Sequence, residues 1–231
     1  MLSDRQDRIL TDVVRTYIRQ AHPIASQAVL EKSQLELSPA TIRHEMLELE
    51  RDGYLLQPYT SAGRIPTLKA WRHYLEHQRD ERPVSQRAQD ELQAVVRAYR
   101  QTYDELLKHL AQTLAEQTRQ AVFVAFDQHD TYYTGISKLF AQPEFDQVDA
   151  IRAISRVVDR LDEVMPRYFR LMERDVEVLL GPASHVSDDC SLILSRLPRR
   201  TSLLGVLGPV RQDYDSHVSL LRFTRQLLQA A

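Results

Sequence analysis

A single cysteine, Cys190, leaves no partner for an internal disulfide and suits a reducing compartment. No apolar run reaches the roughly 18 residues that a membrane-spanning helix needs. The opening MLSDRQDRIL is polar and charged where a secretory leader would be apolar. Together these absences predict a cytoplasmic protein. Net charge is nearly missing too: 30 Lys and Arg stand against 32 Asp and Glu, a balance of −2. That excludes binding to nucleic acid by overall charge, so any such contact must come from a local patch. What is present is an ordinary globular composition, 43% hydrophobic and 27% charged over 231 residues. It is enough for a substantial core and one to two domains.

The stretch from Ser38 to Gly53 reads as one helix with both ends marked. Ser38 can cap it, Pro39 fits its first position and Gly53 can end it in the left-handed conformation. Ile42, Met46 and Leu49 fall on one face and look inward. Thr41, Arg43, His44, Glu48 and Arg51 remain outside. Donors near the start of a capped, solvent-facing helix suit a major-groove reader; the plainer reading is an ordinary amphipathic surface helix.

The neighbours favour the first reading. Ser3 and Gln6 form a capping-box pattern ahead of a helix with Ile9, Leu10, Val13, Val14, Tyr17 and Ile18 as its stripe. Ser26 opens a shorter second helix, so three helices stand in helix-turn-helix order. After Gly53, Tyr54–Gln57 predicts a strand and Thr60–Thr67 a wing whose tip carries Arg64. Thr67 caps a fourth helix to about Gln78. Residues 1–78 hold ten basic and ten acidic side chains, yet from Tyr59 to Arg79 the balance is +3: Arg64, Lys69, Arg72 and Arg79 against Glu76. Arg43 is the candidate for a bidentate guanine contact and His44 faces the same way. Ser38 and Thr41 are expected to hold phosphates or a thymine methyl. Thr60, Ser61 and Arg64 serve as wing contacts, with Arg64 reaching a phosphate or a narrow minor groove. Lys69 and Arg72 would neutralise backbone phosphates. The plain alternatives are a solvated tip charge for Arg64 and an ion pair with Glu76 for Arg72.

Residues 79–118 read as a charged linker ending at Pro83 and one long helix. Leu92, Val96, Tyr99, Tyr103, Leu106 and Leu110 alternate spacings of four and three along it, the pattern of a dimerisation seam. Residues 119–231 read as an α+β domain. Strands are expected at Ala121–Phe126 and Asp175–Leu180, and a hairpin pair at Ser191–Ser195 and Ser202–Leu207. Helices are expected at Tyr132–Phe140, at Asp146–Leu171 with a break or kink at Pro166, and at Tyr214–Leu228. The predicted class is therefore mostly α with an α+β part. No catalytic, metal or cofactor site is expected. His185, Asp188, Asp189 and Cys190 match no closed zinc spacing, and Gly205 and Gly208 form no phosphate loop. The alternatives are a regulator whose C-terminal domain senses a small molecule, and an enzyme with Cys190 as nucleophile.

SPATIRHEMLELERDGYLLQPYTSAGRIPT resembles the signature of the heat-inducible transcription repressor family HrcA. That signature typically carries an SPATIRNEM helix, a QPHTSAGR wing and a following PT-x-K helix. His44 stands where the family usually has Asn, and Tyr59 where it often has His. The resemblance continues through TYYTGISKLFAQPEF and DCSLILSRLPRRTSLLGVLGPVRQDYDSHVSLLRF, a region that is GAF-like in the family. This chain is short between AVFVAF and DTYYTGIS. It lacks room for several strands and for the inserted dimerisation subdomain of larger members. The resemblance implies a winged-helix dimer that binds double-stranded DNA at an inverted-repeat operator upstream of chaperone genes. It also implies a partnership with the chaperonin GroEL, no membrane association, and a reduced GAF-like C-terminal domain.

Overall fold

The computed structural model describes residues 2–32, 37–78, 82–145, 163–170, 172, 174–198 and 202–230. The chain divides into two compact units, Met1–Arg79 and Asp80–Ala231.

In the first unit α1 (Asp4–Gln20) opens on the reciprocal Ser3/Gln6 capping box and ends at Ala21 in the left-handed conformation. Next come α2 (Ser26–Lys32), α3 (Pro39–Arg51) and an antiparallel ribbon of β1 (Leu55–Leu56) and β2 (Ile65–Pro66). Thr67 caps α4 (Leu68–His73), which runs on into a π-helical turn at Tyr74–Gln78. Ile9, Leu10, Val13 and Val14 of α1 pack in the core with Val29, Ile42, Met46, Leu49, Leu55, Trp71 and Tyr74, all essentially sealed from water. Each such burial stabilises the unit by roughly 1.5–3 kcal/mol against chain entropy. Ile24 joins this core, and its backbone bridges Arg64 through two 2.9 Å hydrogen bonds. A Cβ on Gly63 would stand 2.4 Å from the Ile24 carbonyl carbon, so only glycine allows that approach.

The second unit begins with α5 (Gln86–Tyr99) and α6 (Tyr103–Thr118). The apolar spacing predicts one long helix; the chain instead breaks at Arg100–Thr102. Thr102 turns to an extended conformation and Asp104 and Glu105 enter the first turn of α6, where carboxylates complement the helix dipole. The two helices pack together, with Tyr99 stacked on His109 at 3.8 Å. Apolar spacing alone cannot distinguish one helix from two that fold back, because the same residues face inward in both.

After α6 come β3 (Ala121–Ala125), β4 (Thr131–Thr134), α7 (Ile136–Phe140) and a 3-10 turn at Pro143–Phe145. The segment read as a helix from Tyr132 is thus a strand and then a helix. Gly135 divides them: its φ is +75°, and a Cβ there would lie 2.5 Å from the Gln120 carbonyl oxygen. Threonine and tyrosine around it also prefer a pleated surface. Of the helix expected over Asp146–Leu171, residues 146–162 and 171 lie outside the described residues. Residues 163–170 (α8) are helical straight through Pro166, so the expected break is absent there. Proline removes a single N–H, and the turn continues without it.

Strands β5 (Val176–Leu180), β6 (Cys190–Arg196) and β7 (Leu203–Pro209) complete an antiparallel sheet of order β4-β3-β7-β6-β5, and α9 (Tyr214–Ala230) closes the chain. One sheet face, including Phe123, Cys190, Leu192 and Leu194, packs on Leu139, Phe145, Met165 and Tyr168. By strand alternation Val122, Val124, Ile193 and Val206 turn to the other face, against the layer of α5, α6 and α9. Gly205 sits opposite Phe123, where a Cβ would stand 2.2 Å from the ring.

Polar atoms join α9 to the sheet. Gln212 Nε2 donates to the Ser191 carbonyl (3.0 Å) and hydroxyl (2.7 Å), the Tyr214 hydroxyl lies 2.9 Å from Ser191 Oγ, and His217 Nδ1 lies 3.1 Å from Gln212 Oε1. Burial pushes the Tyr214 hydroxyl up and lowers the His217 imidazole to about 4, the Asp213 charge opposing the latter shift.

Candidate nucleic-acid interface

The geometry of α3 follows from its ends. Ser38 Oγ accepts the Thr41 amide at 3.1 Å and lies 2.8 Å from the Thr41 hydroxyl. At the far end Gly53 takes φ +76°, and the Gly53 and Tyr54 amides close on the Glu50 and Leu49 carbonyls at 2.9 and 2.8 Å. Ile42, Met46 and Leu49 are turned fully inward, which fixes the helix rotation and leaves Arg43, His44 and Leu47 outside. No acidic residue occupies the first turn, so the positive end of the helix dipole is unscreened on the side an anion would approach. Arg43 and His44 are exposed, and neither has a hydrogen-bond or ion-pair partner among the described residues. Ser38 and Thr41 spend part of their hydrogen-bonding capacity on each other. Farther along, Arg51 is tied to Glu48 at 2.6 Å.

Glu45 carries no local signal of its role in the sequence. It lies on the inward side of α3, 5% exposed, and pairs with Arg5 of α1 at 2.5 Å. The pair joins two helices whose sequence separation gives no local signal.

The ribbon after α3 corrects one expectation and refines another. Thr60 and Ser61 are exposed at its tip, Ser61 with φ +69°, and Gln57 Nε2 closes the tip onto the Ala62 carbonyl at 2.9 Å. Arg64 is not a solvated tip cation. It stands at the root of the ribbon, 9% exposed, with Nε 2.9 Å from Glu50 Oε2 at the end of α3. The paired backbone of Ile24 and Arg64 holds the residue against the segment before α2, and its side chain turns to Glu50. Lys69 remains exposed but already has partners: Nζ donates to the Asp52 carbonyl at 2.6 Å and lies 4.2 Å from the Tyr54 ring centroid. It thereby complements the negative end of α3. Arg72 is exposed with no partner among the described residues, so the expected alternative of a Glu76 pair is not formed.

The proposed dimer seam is also corrected. Leu92, Leu106 and Leu110 are buried within their own unit, Val96 and Tyr103 are half-buried there, and Tyr99 lies on His109. The three leucines are spent on packing inside the second unit, while Tyr99 remains 37% exposed. Cys190 is fully buried and its thiol is pushed up to about 12, by burial first and by the Asp189 charge in the same direction. Such a thiol supplies no thiolate for nucleophilic chemistry. His185 and Asp188 are exposed beside it, and no metal-holding cluster occurs among the described residues.

These two units define a class: a small helical module with a two-stranded ribbon, and a mixed α/β module built on a five-stranded antiparallel sheet. A family model described as the HrcA protein C-terminal domain matches residues 54–218. A heat-inducible transcription repressor HrcA of Halalkalibacterium halodurans is 36% identical, with 96% of this chain and 95% of that protein covered. The chain belongs to the HrcA family. The alignment with that relative runs over 326 positions, so at least 95 of them (326 less the 231 residues here) stand opposite gaps in this chain. The heat-inducible transcription repressor HrcA of Symbiobacterium thermophilum is 35% identical over 56% of this chain and 38% of that protein. The chain spans little more than a third of the length of the first curated relatives it matches, 36 to 38%. A crystal structure of a hypothetical protein shares the fold, with a TM-score of 0.77, 18% identity, and 99% of this chain and 98% of that one covered.

Proposed function

We propose that residues 1–78 form a winged helix-turn-helix DNA-binding domain, with α2 and α3 as the helix pair and the β1–β2 ribbon as the wing. The whole protein then acts as a sequence-specific repressor of heat-shock (chaperone) genes. One observation carries the reading: α3 is anchored at both ends and on its inner face, starts without acidic residues, and presents Arg43 and His44 outward with no partner among the described residues to compete for them. Arg43 would reach guanine O6 and N7 in the major groove, and Arg72 and the hydroxyls of Thr60 and Ser61 would reach phosphates. We read the second unit as the reduced GAF-like domain that the resemblance implies. An inverted-repeat operator calls for a two-fold homodimer, formed through a surface other than the buried face of α5 and α6. The family name of the relatives supports the repressor role, and the GroEL partnership rests on the resemblance alone. No helix among the described residues is long and apolar enough to cross a membrane, which agrees with a cytoplasmic place of action.

The small-molecule alternative finds less support. An opening of about 510 Å³ is lined by Asp127, His129, Phe169, Arg170 and Arg196. Two of its polar side chains are already engaged: Arg196 Nη2 donates to the Phe169 and Met172 carbonyls, and Asp127 accepts the amides of His129 and Asp130.

The test is selection of duplexes from a random-sequence library by the purified protein. The expected product is an inverted repeat whose binding weakens steeply with salt. Recovery of no common sequence would refute the proposal.

A further inference from the structure

We propose that Arg64 is a positioning residue: through its buried pair with Glu50 it sets the wing against the end of the reading helix, and it touches no phosphate. This rests on the DNA-binding reading of the first unit. Three contacts meet at the root of the ribbon. The Arg64 backbone exchanges two 2.9 Å hydrogen bonds with Ile24. Gly63 packs on the Ile24 backbone too closely for any side chain. The Arg64 guanidinium, with its side chain 10% exposed, holds the Glu50 carboxylate at 2.9 Å.

The backbone contacts fix the ribbon to the segment before α2. Of these contacts, only the side-chain pair reaches α3, and it meets the helix in its last turn. Glu50 in turn is half-buried, so water does not fully screen the pair. Such pairs contribute little net stability, because desolvation offsets attraction; their attested use is to select one geometry. Here the selected geometry is the angle at which the tip residues Thr60 and Ser61 stand relative to Arg43.

Direct contact and positioning make opposite forecasts for Glu50. If Arg64 simply met DNA, Glu50→Gln would remove a nearby negative charge and leave binding unchanged or tighter. If the pair positions the wing, Glu50→Gln weakens binding although the protein has become less acidic. The probe is the duplex that the unmodified protein selects from a random-sequence library, titrated by fluorescence anisotropy over a series of salt concentrations. Folding of each variant is checked by circular dichroism at the binding temperature. Expected for Glu50→Gln is an affinity loss of about tenfold or more. Arg64→Ala is expected to match it, with the slope of log K against log salt unchanged, and Arg64→Lys to recover affinity only in part, since it lacks the guanidinium Nε. The inference is overturned if the unmodified protein binds while Glu50→Gln binds as well or better, or if Arg64→Ala reduces the slope by about 0.9, the signature of one lost phosphate contact. An unmodified protein that selects no duplex would take down the DNA-binding reading, and this inference with it.

Discussion

Arg43, Arg5 and His217 show three different outcomes for a charged or titratable side chain. Arg43 has no partner among the described residues, so its removal should leave stability unchanged and appear only in binding. Arg5 is half-exposed but neutralises the nearly buried Glu45. Arg5→Ala leaves that carboxylate without its partner and should cost about 1–2 kcal/mol in urea unfolding; adding Glu45→Gln should restore most of the loss. His217 carries the pH dependence. Its ring binds a proton near pH 4 when folded and near 6.5 when unfolded. Between those values the unfolded state holds more protons, so stability falls as pH drops below 6.5 and levels off near 4. The slope should be on the order of 1 kcal/mol per pH unit. His217→Gln keeps a donor toward Gln212 Oε1 and should flatten the dependence of the urea midpoint between pH 7 and pH 5.

At the level of elements, local chemistry was legible and long-range chemistry was not. The caps at Ser3, Ser38 and Thr67 and the left-handed Gly53 each depend on residues three or four apart, and each stands where the sequence places it. The strands at 121–125, 176–180, 190–196 and 203–209 announce themselves as apolar runs ended by Gly, Pro or charge. The α5–α6 break had a signal, Thr102 followed by Asp104 and Glu105, but the continuing apolar spacing masked it. Arg64 had none: Glu50 is 14 positions away, and only the folded ribbon brings the two together. Gly205 shows the same limit in the sheet, since nothing near it in sequence reveals the Phe123 ring above it. Gly205→Ala should lower stability by about 1–3 kcal/mol by overpacking, and Phe123→Leu should relieve part of that in thermal unfolding.

Across the whole molecule the charge is near balance, so recognition has to be placed rather than general. On the proposed reading it lies on α3 and the ribbon of the first unit; the second unit carries a sheet packed on both faces. In the alignment with the Halalkalibacterium halodurans protein at least 95 positions stand opposite gaps in this chain, whose sheet pairs continuously and antiparallel from β4 to β5. The central claim is that the outward face of α3 reads base edges through Arg43. It is tested most directly by measuring affinity for duplexes in which each base pair of one half-site is replaced in turn, with the unmodified protein and with Arg43→Ala. The unmodified protein should discriminate by about 1–3 kcal/mol at a G·C pair that Arg43→Ala no longer distinguishes, while preferences at the other positions persist. An Arg43→Ala profile that matches the unmodified one at every position would contradict the account.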